Sequence, residues 1–164
     1  MEEAPDSVIV FGSTGNQGSS TLKHLYASIG KTLDIYAVTR DPSNPRSRQL
    51  ASVFPGVQVV PGDFEDKESI KRVFKSVTSR IRSIFLISTP SLASQGYALS
   101  SDLEIAVFKN IIDVAAESGI RHIVLSSIAG CDNTSVPAHY KSKKAIEDHL
   151  KASGIRYVHS RKVY

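Results

Sequence analysis

Val8-Ile9-Val10-Phe11-Gly12-Ser13-Thr14-Gly15-Asn16-Gln17-Gly18 constrains this chain more than any other stretch. A short apolar run breaks into a loop with glycine at every third position. Leu22, Leu25, Tyr26 and Ile29 then recur at helical spacing. The pattern is strand, tight turn, helix. Gly12 lets the chain reverse as it leaves the strand. Gly15 removes a side chain where a pyrophosphate would approach the backbone. Gly18 lets the helix lie close to the strand. The mouth of that helix offers unpaired N–H groups and the positive end of its dipole to an anion. The spacing is G-x-x-G-x-x-G rather than G-x-G-x-x-G, so the strand before and the helix after are what separate it from an ordinary glycine-rich turn. Gly12, Ser13, Thr14, Gly15, Asn16, Gln17 and Gly18 are the first candidate binding residues.

The remaining chain repeats the strand-helix alternation. Strands are predicted at Ser7 to Phe11, Ile35 to Thr39, Val57 to Val60, Ser83 to Ser88, His122 to Ser126 and Ile155 to His159. Helices are predicted at Asn16 to Ser28, Arg46 to Val53, Asp66 to Ser76, Leu99 to Ser118 and His139 to Ala152. The strands are apolar almost throughout, which fits a sheet covered on both faces. Alternation implies parallel strands joined by right-handed crossovers. The expected architecture is an α/β doubly wound sheet in the order 3-2-1-4-5-6, with ligands beyond the carboxyl ends of the strands.

At 164 residues and 41% hydrophobic content, the chain suits one domain over 1–164, with residues 1–6 expected to be disordered. The acidic opening Met1 to Asp6 does not read as a signal or transit peptide, and no apolar run approaches membrane-spanning length. A single cysteine, Cys131, excludes an internal disulfide and a multi-cysteine metal site, and fits a cytoplasmic or nuclear setting. The net charge of +4 is spread without a basic stripe or interleaved aromatics. Direct nucleic-acid binding is therefore not expected, and the surplus reads as solvated surface plus an anionic-ligand site.

Several motifs taken together carry a resemblance. They are Val8 to Gly18, Ala37-Val38-Thr39-Arg40, Gly62-Asp63, His122 to Ser127, and His139-Tyr140-Lys141-Ser142-Lys143 followed by Ile146-Glu147. In this order and spacing the chain resembles the NmrA-like group, atypical members of the short-chain dehydrogenase/reductase superfamily. The resemblance implies a Rossmann fold that binds NAD(P). It implies either a reductase of small organic substrates or a non-catalytic sensor of the NADP redox state that regulates transcription factors. Members usually continue past the sixth strand into a small C-terminal substrate domain, whereas this chain stops at Tyr164. Arg161-Lys162 stands where the family usually has Arg-Pro. The expected role is therefore an NADP-binding redox-sensing or regulatory module with a protein partner. An NADP-dependent reductase of a small carbonyl or quinone is the alternative, and an inactive remnant the second.

The polar residues at the strand ends complete the candidate site. Arg40 stands about twenty residues on from the glycine loop, where an NAD site places an acid and an NADP site accepts an arginine for the 2′-phosphate. NADP(H) is expected over NAD(H) on that ground, with Arg46 or Arg48 adding charge. By resemblance, Asp63 and Phe64 border the adenine, and Ser88, Thr89 and Pro90 contact the nicotinamide-side ribose. The bland alternatives are a turn aspartate and loop-capping hydroxyls. In the wider superfamily a serine at the place of Ser126 holds the substrate carbonyl, a tyrosine transfers the proton, and a lysine four residues on binds ribose hydroxyls. This chain offers two overlapping pairs, Tyr140 with Lys144 and His139 with Lys143. Neighbouring helix positions lie about 100° apart, so only one pair can face the nicotinamide. Lys143 shares the apolar stripe of Ile146 and Leu150, which aligns it with the ribose-binding lysine and leaves His139 at the tyrosine's place.

Overall fold

A computed structural model describes residues 5–30, 32–87, 101–133 and 135–162. In chain order the elements are β1 (Asp6–Val10), α1 (Asn16–Ile29), β2 (Asp34–Thr39), α2 (Pro45–Val53), β3 (Gln58–Pro61), α3 (Lys67–Ser76), β4 (Arg80–Ile87), α4 (Ser101–Glu117), β5 (His122–Ile128), α5 (Ala138–Ala152) and β6 (Arg156–Lys162). All pairings are parallel and the sheet order is β3-β2-β1-β4-β5-β6. This is the doubly wound Rossmann-type arrangement expected from the alternation, with the order reversing between β1 and β4.

Strand pleating explains why β1 sits in the middle. Val8 and Val10 point to one face and pack with Leu22 of α1, Ile35 of β2 and Leu50 of α2. Ile9, with Phe11 just beyond, points to the other and packs with Ile70 and Phe74 of α3, Ile111 of α4 and Ile146 of α5. A strand apolar on both faces is buried on both, and only a central position provides that.

The strand ends differ from expectation. Asp6 opens β1 instead of belonging to a disordered start, because its carboxylate accepts hydrogen bonds from Arg80 and Arg82. The same pairing starts β4 at Arg80, before the apolar run begins. β6 continues past His159 to Lys162, with Ser160 and Arg161 in register with Ser126 and Ser127. Polar residues hidden from apolar periodicity thus extend three strands. Among the described residues, no helix is long and apolar enough to cross a membrane.

Candidate functional site

The loop between β1 and α1 is built around two glycines. Gly12 has φ +72°, the left-handed region that a β-carbon disfavours. Its carbonyl accepts a hydrogen bond from the Gly15 N–H at 3.1 Å, closing the turn. A β-carbon on Gly18 would sit 2.1 Å from the Gly12 oxygen and 2.8 Å from the Ser13 Cα, so the helix is pressed against the turn. At Gly15 the same atom would meet only the Gly12 oxygen, at 3.4 Å, so internal packing does not demand glycine there.

Ser13 is fully buried and its Oγ donates to the Val38 carbonyl at 2.8 Å, tying the loop to β2. Its side chain therefore faces away from the helix mouth, which leaves only its backbone to meet a ligand. Ser13→Ala is expected to cost about 1 kcal/mol of stability, measured by urea unfolding, because one buried hydrogen bond is lost.

The start of α1 is left open. Gly15 is its N-cap without a side-chain cap, and no acid stands in the first turn. By contrast, Asn44 caps α2 through the Arg46 N–H and Asp66 caps α3 through the Glu68 N–H. Unanswered N–H groups at a helix mouth suit an anion. Gln17 Nε2 donates to Ser126 Oγ at 2.5 Å, joining the first turn of α1 to the end of β5 across the point where strand order reverses.

On the β2 side, Thr39 is buried and shares a hydrogen bond with Ser47 at 2.9 Å. Asp41 accepts from the Ser43 hydroxyl at 2.6 Å and the Ser43 N–H at 2.8 Å. These bonds hold its carboxyl below the ordinary range and make it a turn-former. Arg40 stands exposed at the strand tip. Beside the loop, a cleft of about 510 Å³ is lined by Thr14, Asn16, Lys23, Arg46 and Gln49, among others. Arg40 is not part of its wall.

Asp63 is exposed and bonds the Glu65 N–H at 3.1 Å, the arrangement of a turn aspartate. Phe64 departs from its expected place. It is 4% exposed with its ring 5.4 Å from that of Phe11, so it belongs to the core rather than to an open adenine wall. Ser88, Thr89 and Pro90 lie outside the described residues.

The two lysine registers of α5 separate clearly. Lys144 is partly exposed and pairs with Asp148 one turn on. Lys143 is buried and pairs with Glu104 of α4. Tyr140 is half-buried, and exposed His139 meets it ring edge to face with centroids 4.7 Å apart. The inward lysine is thus Lys143, and Lys144 is directed along the outer surface of α5.

One buried carboxylate, Glu104, goes unmarked in the sequence reading, and another, Glu147, appears there only as part of the family motif. Glu104 shares a helical stripe with Val107, Phe108 and Ile111, and an acid interrupting that apolar period was the available sign. Glu147 lies on the stripe of Ile146 and Leu150. The Arg161 fork grips it at 2.6 and 3.1 Å. Burial pushes the Glu147 carboxyl up, but Arg161, joined by His159 at 3.3 Å, outweighs it and holds it below the usual range.

A model of the NmrA-like family matches residues 5–163. The chain is 29% identical over 166 residues to the NmrA-like family domain-containing oxidoreductase malD of Malbranchea aurantiaca, covering 95% of this chain and 46% of that protein. It is 28% identical to the NmrA-like family domain-containing protein DDB_G0286605 of Dictyostelium discoideum, covering 88% of this chain and 44% of that one. The chain therefore spans about half the length of these curated relatives. Among solved structures, Citrobacter sp. triphenylmethane reductase complexed with NADP(H) superposes with TM-score 0.77 at 24% identity, over 94% of this chain and 49% of that one. The NADPH-dependent quinone oxidoreductase QOR2 of Escherichia coli, complexed with NADPH, gives 0.75 at 22% identity over 94% and 48%.

Proposed function

The chain belongs to the NmrA-like family, and from that premise we propose that it binds NADP(H) at the mouth of α1 and forms the dinucleotide-binding part of a reductase. The observation that carries this is Gly18. A glycine held so close to the turn that a β-carbon would overlap the Gly12 carbonyl brings the uncapped start of α1 against the loop. That makes a shallow cradle of backbone N–H groups, which is what a pyrophosphate requires. Arg40 at the β2 tip and Arg46 in the adjoining cleft would share the 2′-phosphate. Lys143 would hold the nicotinamide-side ribose, with Ser126 and Tyr140 at the reacting end. A bound nicotinamide supplies the hydride; the chain's own residues orient it and hold the substrate oxygen.

The test is calorimetric titration of the purified chain with NADPH and NADH. Arg40→Ala is expected to weaken NADPH about tenfold and to leave NADH within about twofold, the loss of one charge-assisted contact to phosphate. Equal affinities for the two dinucleotides in the unaltered chain would overturn the NADP(H) preference. No affinity for either would overturn the whole reading.

A regulatory or redox-sensing module without turnover is the second reading. One observation favours it: Lys144 pairs with Asp148, so the Tyr140 and Lys144 spacing does not form an inward catalytic pair. NADPH binding without oxidation by quinones or aldehydes would support it.

A further inference from the structure

The sheet is covered unequally on its two faces. On one, α3, α4 and α5 pack through Ile70, Ile111 and Ile146. On the other, among the described residues, α1 and α2 pack through Leu22 and Leu50 against β1 and β2. Val10, Phe85, Val124 and Val158 stand in register across β1, β4, β5 and β6 and point to this second face. Val10 is fully buried with Leu22, Phe85 and Val124 are half-buried, and Val158 is 52% exposed. Ile123 and Leu125, which alternate with Val124 onto the opposite face, are buried. A groove of about 950 Å³ follows the bare strip, with Leu25 of α1 as a wall and Phe85 and Val124 in its floor. Arg82, Lys151 and Arg156 line it, and among the described residues no acid does.

We propose that this strip docks a helix of another polypeptide, one whose apolar stripe is bordered by carboxylates. A doubly wound sheet carries helices on both faces, so a contiguous apolar row left in water marks an interaction surface. β4, β5 and β6 have eight, seven and seven residues, so each is about 25 Å long, the length of a helix of about sixteen residues. The apolar row between α1 and β6 suits the i, i+3, i+4, i+7 anchors of such a helix. The cations select its borders. Arg82 is already paired with Asp6, so the selection falls to the exposed Lys151 and Arg156. A second copy of the chain fits poorly. Face-to-face pairing would set the same cations against themselves. The other exposed large apolar side chains among the described residues, Val53 and Leu103, lie singly on α2 and α4.

Fluorescence anisotropy with labelled helical peptides of about sixteen residues tests this. One peptide carries leucines at i, i+3, i+4 and i+7 bordered by glutamates, and a second has lysines in place of the glutamates. The glutamate peptide is expected to bind about tenfold more tightly than the lysine peptide. Val158→Asp is expected to weaken the glutamate peptide about tenfold. Lys151→Glu combined with Arg156→Glu is expected to reverse the preference between the two peptides. All three positions are exposed, so these variants should fold and should bind NADPH within about twofold of the unaltered chain. That control keeps failure here separate from failure of the dinucleotide reading. No binding of the glutamate peptide, equal binding of both peptides, or binding unmoved by Val158→Asp would each overturn the inference. A dimer seen by sedimentation equilibrium and dispersed by Val158→Asp would make a second copy the occupant and overturn it as well.

Discussion

Gly18→Ala is expected to abolish measurable NADPH binding and to lower stability by about 3 kcal/mol. The added β-carbon would lie 2.1 Å from the Gly12 oxygen, 2.7 Å from the Gly12 carbonyl carbon and 2.8 Å from the Ser13 Cα. All three are backbone atoms, so no side-chain rotation relieves the overlap. Either α1 moves away from the turn or the turn opens. Ser13 resists the second, because its Oγ donates to the carbonyl of buried Val38 on β2. Movement of α1 would carry its N–H groups off the pyrophosphate position and break the Gln17 bond to Ser126. Urea unfolding reads the stability loss and calorimetry with NADPH the binding loss. Gly15→Ala separates the two effects. Its β-carbon meets only the Gly12 oxygen at 3.4 Å, so stability should fall by less than about 1 kcal/mol. Binding should nevertheless be lost, since the methyl group stands where the phosphate would approach. A Gly15→Ala chain that bound NADPH normally would move the ligand away from this loop.

The fold was legible because its determinants are local and periodic. Six apolar runs, five amphipathic segments and the glycine turn lie in an order that fits a doubly wound sheet in the order 3-2-1-4-5-6. Strand lengths were less legible, since their extensions depend on charge pairs between distant residues. Asp6 reaches Arg80 and Arg82, and β6 grows along β5 through Ser160 and Arg161. At the site, the stripe through Ile146 and Leu150 selected Lys143 over Lys144 as the inward lysine, and the side chains lie that way. Phe64 was misplaced because its position after β3 reads alike for a ligand wall and a core plug. Its contact with Phe11 comes from the opposite side of two crossovers. The burial and partners of Glu104 and Glu147 escaped for the same reason. A buried acid is recognisable only through its partner, and Lys143 and Arg161 lie far along the chain from the carboxylates they meet or on another element.

Arg161→Ala is expected to destabilise the chain by about 2 kcal/mol at neutral pH and to make its stability less dependent on acid. Arg161 lies one residue before the end of β6 and its guanidinium spans two carboxylates, Glu147 of α5 at 2.6 Å and Asp132 of the loop after β5 at 2.6 Å. The Glu147 side chain is 4% exposed, whereas that of Arg161 is 34% exposed. Partial exposure places the loss below the roughly 3–5 kcal/mol that follows breaking a fully buried pair. The sign with pH follows from Glu147. Its carboxyl lies below the ordinary 4.5 when folded, so the unfolded chain takes up its proton first on acidification. The pair's contribution is complete above that ordinary value and is lost as pH falls through the folded one. Without Arg161 the main influence lowering the Glu147 carboxyl is gone, while burial still pushes it up against Ser127 and His159. The gap between the folded and unfolded carboxyl then narrows, and the variant loses less stability than the parent chain on mild acidification. Urea unfolding of both chains between about pH 4 and pH 7 reads the two slopes. Parallel slopes would mean that Arg161 does not control Glu147. A shallower slope in the variant would identify one guanidinium as the tie between β6, α5 and the loop after β5.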